Sequence, residues 1–292
     1  MILFVLFILL FVCYSILILY YWQSWESIPD FIHSNQTPLI KISIIIPARN
    51  EEDNIGELLK ALQEQTYPRE LFEIIVVDDH SSDKTVEIVS HFPGVKLLTL
   101  NDDAINSYKK KAIEKGIAAA SGELIVTTDA DCVPPSSWLQ TIMSFKEKTG
   151  AVFIVAPVAI NCNVSFVEVF QAIDFMVLQG ITAASVYKKM HSMCNGANLA
   201  YEKQLFFDVN GFEGIDHIAS GDDMLLMHKI AKKYPDSIQY LKSIDAIVST
   251  APMKTWSDFF NQRIRWASKA THYEDKRILG VLMLVYLFNF SF

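Results

Sequence analysis

The hydrophobic pattern divides the chain into four stretches. From Met1 to Gln23 no position is charged, and Glu26 is the first that is. An uninterrupted apolar run of that length is enough to cross a bilayer as a helix, and Tyr20, Tyr21 and Trp22 fall where aromatic residues gather at a membrane–water boundary. Residues 1–23 therefore read as a retained transmembrane anchor. A cleaved leader would need a basic start and a small-residue cleavage site, and neither is visible. Residues 24–40 are polar, carry Pro29 and Pro38, and read as a linker.

From Lys41 short apolar runs alternate with helical periodicity. Ile42–Ile46, Glu73–Val77, Val95–Thr99 and Glu123–Thr128 read as buried strands. Between them lie Ile55, Leu58, Leu59 and Leu62 at helical spacing, then Val86 and Val89, then a helix from Tyr108 to Ala120. This β-α-β-α-β-α-β order predicts an α/β fold with a parallel sheet covered on both faces. Beyond it the pattern predicts a helix at Trp138, Leu139 and Ile142 and a strand over Ala151–Val158. An amphipathic helix follows over Phe166–Gln179, with Phe166, Val169, Phe170 and Ile173 on one stripe. Asn195–Tyr201 reads as a small-residue passage before a helix, and Gly211-Phe212 as a turn. Then come a helix with Leu225, Leu226 and Ile230, strands at Ile238–Leu241 and Ala246–Ser249, and a helix over Ser257–Ala270. Residues 278–292 are apolar but short for a span, and read as the possible start of a second transmembrane helix.

Composition adds exclusions. The net charge of −8, with no basic block, argues against a nucleic-acid partner. Cys13, Cys132, Cys162 and Cys194 show neither disulfide nor zinc spacing; Cys13 lies in the apolar run, and the other three read as reduced thiols of a domain facing the cytoplasm.

The candidate chemistry gathers at strand ends. Asp129 and Asp131 follow the fourth strand at i, i+2, so in extended backbone both carboxylates point to one side, where open α/β sheets place ligands. Two close carboxylates repel unless a cation is near. A divalent metal carrying a phosphorylated substrate is the natural occupant, since Mg²⁺ takes one or two carboxylates plus phosphate oxygens. Asp78 and Asp79, past the second strand, can accept from a uracil N–H or ribose hydroxyls. Lys109 offers a positive charge to a diphosphate. Asn50 reads as a helix cap, and Asp222 and Asp223 stand at a helix N-terminus. Gln262 and Arg265 share a helical face. Arg265 can fork onto phosphate oxygens, and Trp266 offers a flat apolar surface to a sugar ring.

Taken in order, these motifs are recognisable. They are Ile44-Ile45-Ile46-Pro47-Ala48-Arg49-Asn50-Glu51, Val76-Val77-Asp78-Asp79-His80-Ser81-Ser82-Asp83, Lys109 ahead of Ala112-Ile113 and Gly116, Asp129-Ala130-Asp131, Gly196-Ala197-Asn198, Asp222-Asp223, and Gln262-x-x-Arg265-Trp266. From Lys41 to Tyr273 the chain resembles the membrane-bound branch of family 2 glycosyltransferases, which includes cellulose and hyaluronan synthases and ceramide glucosyltransferase. The resemblance departs at Glu114, where the family has asparagine, and at Asp222, where many relatives have glutamate.

It implies a GT-A fold over 41–273, with a nucleotide-binding half (41–131) and an acceptor half (132–273). The implied partners are a nucleotide-sugar donor, a lipid or glycan acceptor, and the membrane; the implied cofactor is Mg²⁺ or Mn²⁺. It assigns the metal to Asp131 and the general base to Asp223. Arg265 would assist the leaving diphosphate, and Pro47, Asn50, Glu51, Asp78, Asp79, Lys109, Asp129, Gly196, Asn198, Asp222, Gln262 and Trp266 would contact substrates. The implied reaction is direct, inverting transfer. The rivals are a polyprenyl-phosphate sugar transferase, a nucleotide-sugar hydrolase and a non-catalytic nucleotide-sugar-binding membrane protein.

Overall fold

A computed structural model describes residues 1–33, 39–101, 107–163, 165–268 and 275–291. Pro38, Phe292, the expected helix end at Ala270 and the expected domain end at Tyr273 lie outside them.

The first half folds as the pattern predicts. Strands β1 (Ile42–Ala48), β2 (Phe72–Asp78), β3 (Val95–Thr99) and β4 (Leu124–Thr127) are joined by helices α2 (Ile55–Gln63), α3 (Thr85–Ser90) and α4 (Tyr108–Ala119). α1 is the N-terminal helix, Ile2–Glu26. All four strands run parallel, in the order β3-β2-β1-β4. Alternation along β1 explains its unbroken apolar run. Ile44 and Ile46 enter one core with Leu58, Leu59 and Leu62 of α2, while Ile45 enters the other with Ala112, Ile113 and Ile117 of α4. Both faces are buried, so neither set of alternate positions tolerates polar residues.

The structure departs from expectation in three places, two in the second half and one at Asn50. Asn195–Tyr201 does not lead directly into a helix: one 3₁₀ turn at Gly196–Asn198 is followed by strand β8 (Leu199–Glu202) and only then by helix α7 (Lys203–Asp208). β8 lies antiparallel against β4, with Thr127 opposite Leu199, and is the reversed strand in a seven-stranded sheet, β3-β2-β1-β4-β8-β6-β9, that is mostly parallel as expected. Here β6 is Phe153–Val155 and β9 is Ile238–Tyr240.

The single strand expected over Ala151–Val158 is two. β6 ends before Pro157, whose missing N–H cannot continue a ladder, and Val158–Ile160 forms β7 in a second sheet. That small sheet has the order β5-β10-β7, with β5 at Cys132–Val133 and β10 at Val248–Thr250. Asn50 does not cap α2. It has φ +55°, its side chain accepts from Ser82 N at 2.9 Å, and Asn54 occupies the capping position.

The amphipathic stripe faces solvent. Helix α6 (Phe166–Tyr187) is longer than predicted, and Phe166, Val169, Phe170 and Ile173 point outward, Phe166 being 77 % exposed. Its core face is carried by Gln171, Phe175, Thr182, Ala183, Ala184 and Val186. α9 (Trp256–Ala267) packs beside it in parallel: Phe170 meets Trp256 and Phe259, Asp174 pairs with Arg263, and Phe175 meets Trp266. Phe260 and Ile264 extend the exposed apolar face, Ile264 at 67 %.

α5 (Trp138–Thr149) covers the α2 side of the sheet and α8 (Met224–Lys233) the α4 side. α10 (Lys276–Phe290) returns to α1, stacking Phe288 on Tyr14 at 4.3 Å. Within segment 24–40, Ile28 and Phe31 are buried, and Phe31 N donates to Lys242 O at 2.7 Å.

Candidate active site

The antiparallel pairing of β4 with β8 determines the site. The residues that leave β4 (Asp129, Asp131) and those that enter β8 (Gly196–Asn198) emerge at the same end of the sheet. The Thr127 hydroxyl joins them directly, donating to Gly196 O at 2.8 Å in a buried contact.

Lys109, on the first turn of α4, lies between the two halves. Its Nζ is 2.6 Å from Asp129 Oδ1 and 3.5 Å from Asp222 Oδ2. Burial opposes the charged amine, but Asp129 and Asp222 outweigh it and hold the Lys109 pKa above the ordinary lysine value. Asp223 caps α8: Oδ1 accepts from Met224 N at 2.7 Å and Oδ2 from Gly196 N at 3.1 Å. Gly196 lies close to both partners: a Cβ there would come 3.1 Å from Asp222 Oδ2, a tight contact, and 3.7 Å from Lys109 Nζ. Asp129, Lys109, Asp222, Asp223 and Gly196 thus converge on one point.

Asp131 sits beside them. Its Oδ2 accepts from the Thr250 hydroxyl at 3.2 Å and its Oδ1 faces the Cys132 thiol at 3.5 Å. Burial, with Asp129 and Asp131 adding, pushes the Cys132 pKa up, so the thiol stays neutral. Among the described residues no cation forms an ion pair with Asp131. Half-buried Glu51 faces the same carboxylates. Burial raises its pKa, Asp131 and Asp129 raise it further, and a hydrogen bond from Asn54 at 2.8 Å opposes them in part.

Asp78 and Asp79 end β2 on the neighbouring strand. Asp78 is buried and accepts from Ser81 N at 3.4 Å. Asp79 is held by His80 Nδ1 at 3.0 Å and Arg49 at 3.7 Å. The Arg49 guanidinium and the edge of His80 both face the Tyr108 ring, at 5.5 and 5.8 Å. Asn50 and Glu51 stitch this loop to the 81–85 segment through Ser81, Ser82 and Thr85. Pro47, opposite Val77 in the ladder, ends the apolar run of β1 at this edge.

Two predicted residues stand differently from expectation. Asn198 is 0 % exposed, and its amide is fully committed. Oδ1 accepts from Trp138 Nε1 at 2.9 Å, and Nδ2 donates to Pro157 O at 2.7 Å and Ala246 O at 2.8 Å. Its side chain has no proton left for an acceptor and instead pins the Gly196 turn to α5 and to the loops bearing Pro157 and Ala246. Trp266 is half-buried, with Arg263 4.3 Å from its ring centroid, so one face of the indole is taken. Arg265 is exposed and, among the described residues, forms no ion pair; Gln262 is half-buried on the same helix.

Sequence reasoning did not single out Arg49, His80, Tyr108, Lys110 or Thr250. Arg49 and His80 lay inside quoted motifs, which was the available signal.

Residues 43–206, more than half of the chain, match the family described as Glycosyl transferase family 2. A probable glycosyltransferase, YdaM of Bacillus subtilis, is 29% identical over 256 residues, covering 85% of this chain; the chain spans 59% of that protein's length. Glycosyltransferase AglE of Haloferax volcanii is 26% identical over 77% of this chain and 71% of its own length. In fold, the mannosyltransferase PcManGT from Pyrobaculum calidifontis, solved with GDP-Man and Mn²⁺, matches with a TM-score of 0.67 at 23% identity, over 94% of this chain and 77% of that one. S. aureus TarS 1–349, solved with UDP-GlcNAc, matches with a TM-score of 0.56 at 19% identity, over 74% and 60%. The α/β architecture with its mostly parallel sheet is therefore GT-A-like, and the chain belongs to glycosyl transferase family 2, a family of sugar-transferring enzymes.

Proposed function

We propose that the chain transfers a sugar, with inversion, from a nucleotide-diphosphate donor to a lipid or glycan acceptor at a membrane surface, and that the donor is a UDP-sugar. The observation that carries this reading is Lys109 bridging Asp129 of the donor half and Asp222 of the acceptor half, with Asp223 alongside. A diphosphate entering at the end of β4 meets the Lys109 ammonium and the start of α4, and the Arg49–His80–Tyr108 group faces its nucleoside. Asp223, fixed by two backbone N–H groups, takes the proton of the acceptor hydroxyl, which attacks the anomeric carbon from the side opposite the diphosphate. No second carboxylate is required as a covalent nucleophile.

The donor set fits Mg²⁺ or Mn²⁺. Among the described residues no cluster of three or more His, Cys, Asp or Glu makes a self-sufficient cage. Asp131, with Asp129 beside it, offers the one or two carboxylates such an ion takes alongside phosphate oxygens. When bound, the ion neutralises charge on the departing diphosphate.

The membrane part of the reading rests on apolar surface. α1 is apolar and outward-facing for nearly its whole length, and α10 stacks on it. The parallel pair α6 and α9 presents Phe166, Ile173, Met176, Phe260 and Ile264, with Trp256 at one end, a face far more apolar than scattered surface residues produce. We assign α1 to a span and the α6–α9 face to the headgroup boundary, with the catalytic domain on the cytoplasmic side. Gln262, Arg265 and Trp266 then lie on a helix at that surface, where an amphipathic acceptor arrives.

The test is nucleotide release by membranes containing the chain, across a panel of UDP- and GDP-sugars, with and without a lipid extract and with and without EDTA. The expected result is release from one donor, raised by the extract and abolished by EDTA. Release unaffected by any acceptor, with free sugar as product, would make the protein a hydrolase; a sugar found on a lipid phosphate would make it a polyprenyl-phosphate transferase. Nucleotide binding without release from any donor would leave a binding protein.

A further inference from the structure

α4 opens with three consecutive lysines, and they have three different surroundings. Lys111 pairs with Glu114 on the surface and Lys109 bridges the aspartates of the site. Lys110 is 1 % exposed. Its Nζ donates to Ile218 O at 2.5 Å and Ser220 O at 2.8 Å, and contacts Ser107 Oγ at 3.4 Å. Burying a lysine is costly, and the cost is offset only where its protons are matched by acceptors. Two of those acceptors are backbone carbonyls more than a hundred residues away in sequence, on the segment that runs directly into Gly221, Asp222 and Asp223.

Gly221 has φ +83°, a conformation that residues with a Cβ rarely adopt, and its carbonyl accepts the first helical bond of α8, from Leu225 N at 3.1 Å. The position of the Asp223 carboxylate is therefore set from two sides. Its own oxygens are held by Gly196 and Met224, and the chain leading to it is held by Lys110 through the carbonyls at 218 and 220.

We infer that Lys110 is a positioning residue for the reaction: it ties the loop that delivers Asp222 and Asp223 to the first turn of the donor-binding helix, so that the base is in place when the donor engages Lys109. This rests on the proposed assignment of Asp223 as base. The Lys110 ammonium is buried against the carbonyls of Ile218 and Ser220. Adjacent residues of one helical turn hold the donor-side carboxylate and the acceptor-side loop, so the two halves of the site keep one relative geometry. Misplacement of a reacting group by about 1 Å costs on the order of 10²-fold in rate.

The test separates positioning from folding. Lys110→Met keeps the aliphatic stem and removes all three donors, and Lys110→Gln keeps a shorter amide donor. For each, binding of UDP with Mn²⁺ (or GDP with Mn²⁺, whichever the wild type binds) is measured by calorimetry, and turnover with the donor that the wild type uses. The expected result is a nucleotide Kd within about twofold of wild type, kcat lowered roughly 10- to 100-fold in Lys110→Met, and a smaller loss in Lys110→Gln. Unchanged kcat in Lys110→Met overturns the inference. So does a parallel loss of nucleotide binding, which would make Lys110 a structural residue of the donor half.

Hydrogen exchange on the wild-type chain decides the matter if neither variant folds. Amides 216–222 are expected to open together with the first turn of α4. Free exchange of that segment while α4 stays protected overturns the clamp. A wild type that binds neither nucleotide and transfers nothing refutes the reading of the whole site, an outcome distinct from an active wild type with an equally active Lys110→Met.

Discussion

Replacing Asn198 with alanine is the most discriminating single change available, because it separates a scaffold role from contact with the acceptor. The truncation leaves three buried groups without their partners: Trp138 Nε1, Pro157 O and Ala246 O. Trp138 and Ala246 are both fully buried, so water does not readily replace the lost amide. A buried polar group left unpaired costs about 1–3 kcal/mol; the low end suits the two carbonyls and a middle value the indole N–H, giving roughly 4 kcal/mol. At about 2–4 °C per kcal/mol for a domain of this size, Tm falls by roughly 8–16 °C. The assay is thermal unfolding of the detergent-solubilised chain, read by tryptophan fluorescence. Trp138→Phe supplies an internal control. It removes one of the three stranded groups, so the double variant should be less destabilised than the sum of the two singles by about 2 kcal/mol, the value assigned to the indole N–H. A Tm within about 2 °C of wild type, combined with collapsed transfer, would refute the scaffold assignment and return Asn198 to the acceptor.

Asp223→Asn should leave nucleotide binding within about twofold while lowering transfer by roughly 10²–10⁴, as loss of a general base does; retention of more than a tenth of wild-type kcat would move the base elsewhere. Glu51→Gln tests the carboxylate cluster through pH. The folded pKa of Glu51 is raised, so the folded chain holds its proton above the pH at which the unfolded chain loses it, and wild-type stability falls as pH rises through that window. The variant should gain stability over wild type as pH rises above about 4.3 and converge with it below, in denaturant titrations from pH 4 to 8; a constant difference across that range would argue against a Glu51 carboxyl raised by burial and by its acidic neighbours. Phe260→Asp with Ile264→Asp, in a chain lacking residues 1–26, should abolish flotation with anionic vesicles while nucleotide binding persists. Flotation equal to that of the unsubstituted chain lacking the same residues would remove the α6–α9 face from the membrane.

The donor half was legible because its physics is local and repetitive. A strand buried on both faces must be apolar throughout, as at Ile42–Ile46 and Ile74–Val77, and no other element of this length gives that signal. β8 was missed because it is four residues long and owes its strand state to β4 and β6 on either side, which periodicity in Leu199–Glu202 does not encode. The stripe on α6 was found and its direction was not. Period 3.6 identifies an apolar face, but the core side of this helix is built from small residues (Ala183, Ala184) and one glutamine, Gln171, that bonds Met253. In the site, the convergence of Asp129, Lys109, Asp222 and Asp223 followed from motif order. The commitment of Asn198 to Trp138 did not, because the two lie sixty residues apart and nothing in either sequence neighbourhood names the other. Lys110 was hidden in plain composition: three lysines in a row look like one solvated patch, and only the packing of 218–220 against α4 tells them apart.

The reversal of β8 has a consequence for how such a chain can diversify. Between Thr127 and Leu199, which face each other in the ladder, the chain adds the strand β6 to the sheet and otherwise runs outside it, so this stretch is an excursion whose ends are fixed side by side. Lengthening a loop whose ends are already joined costs little, about 0.6 kcal/mol per doubling of its length. The excursion carries the outward face of α6. A lineage can therefore rewrite the surface the protein rests on from within that stretch, provided Asp129, Asp131 and Gly196 stay where the ladder ends place them.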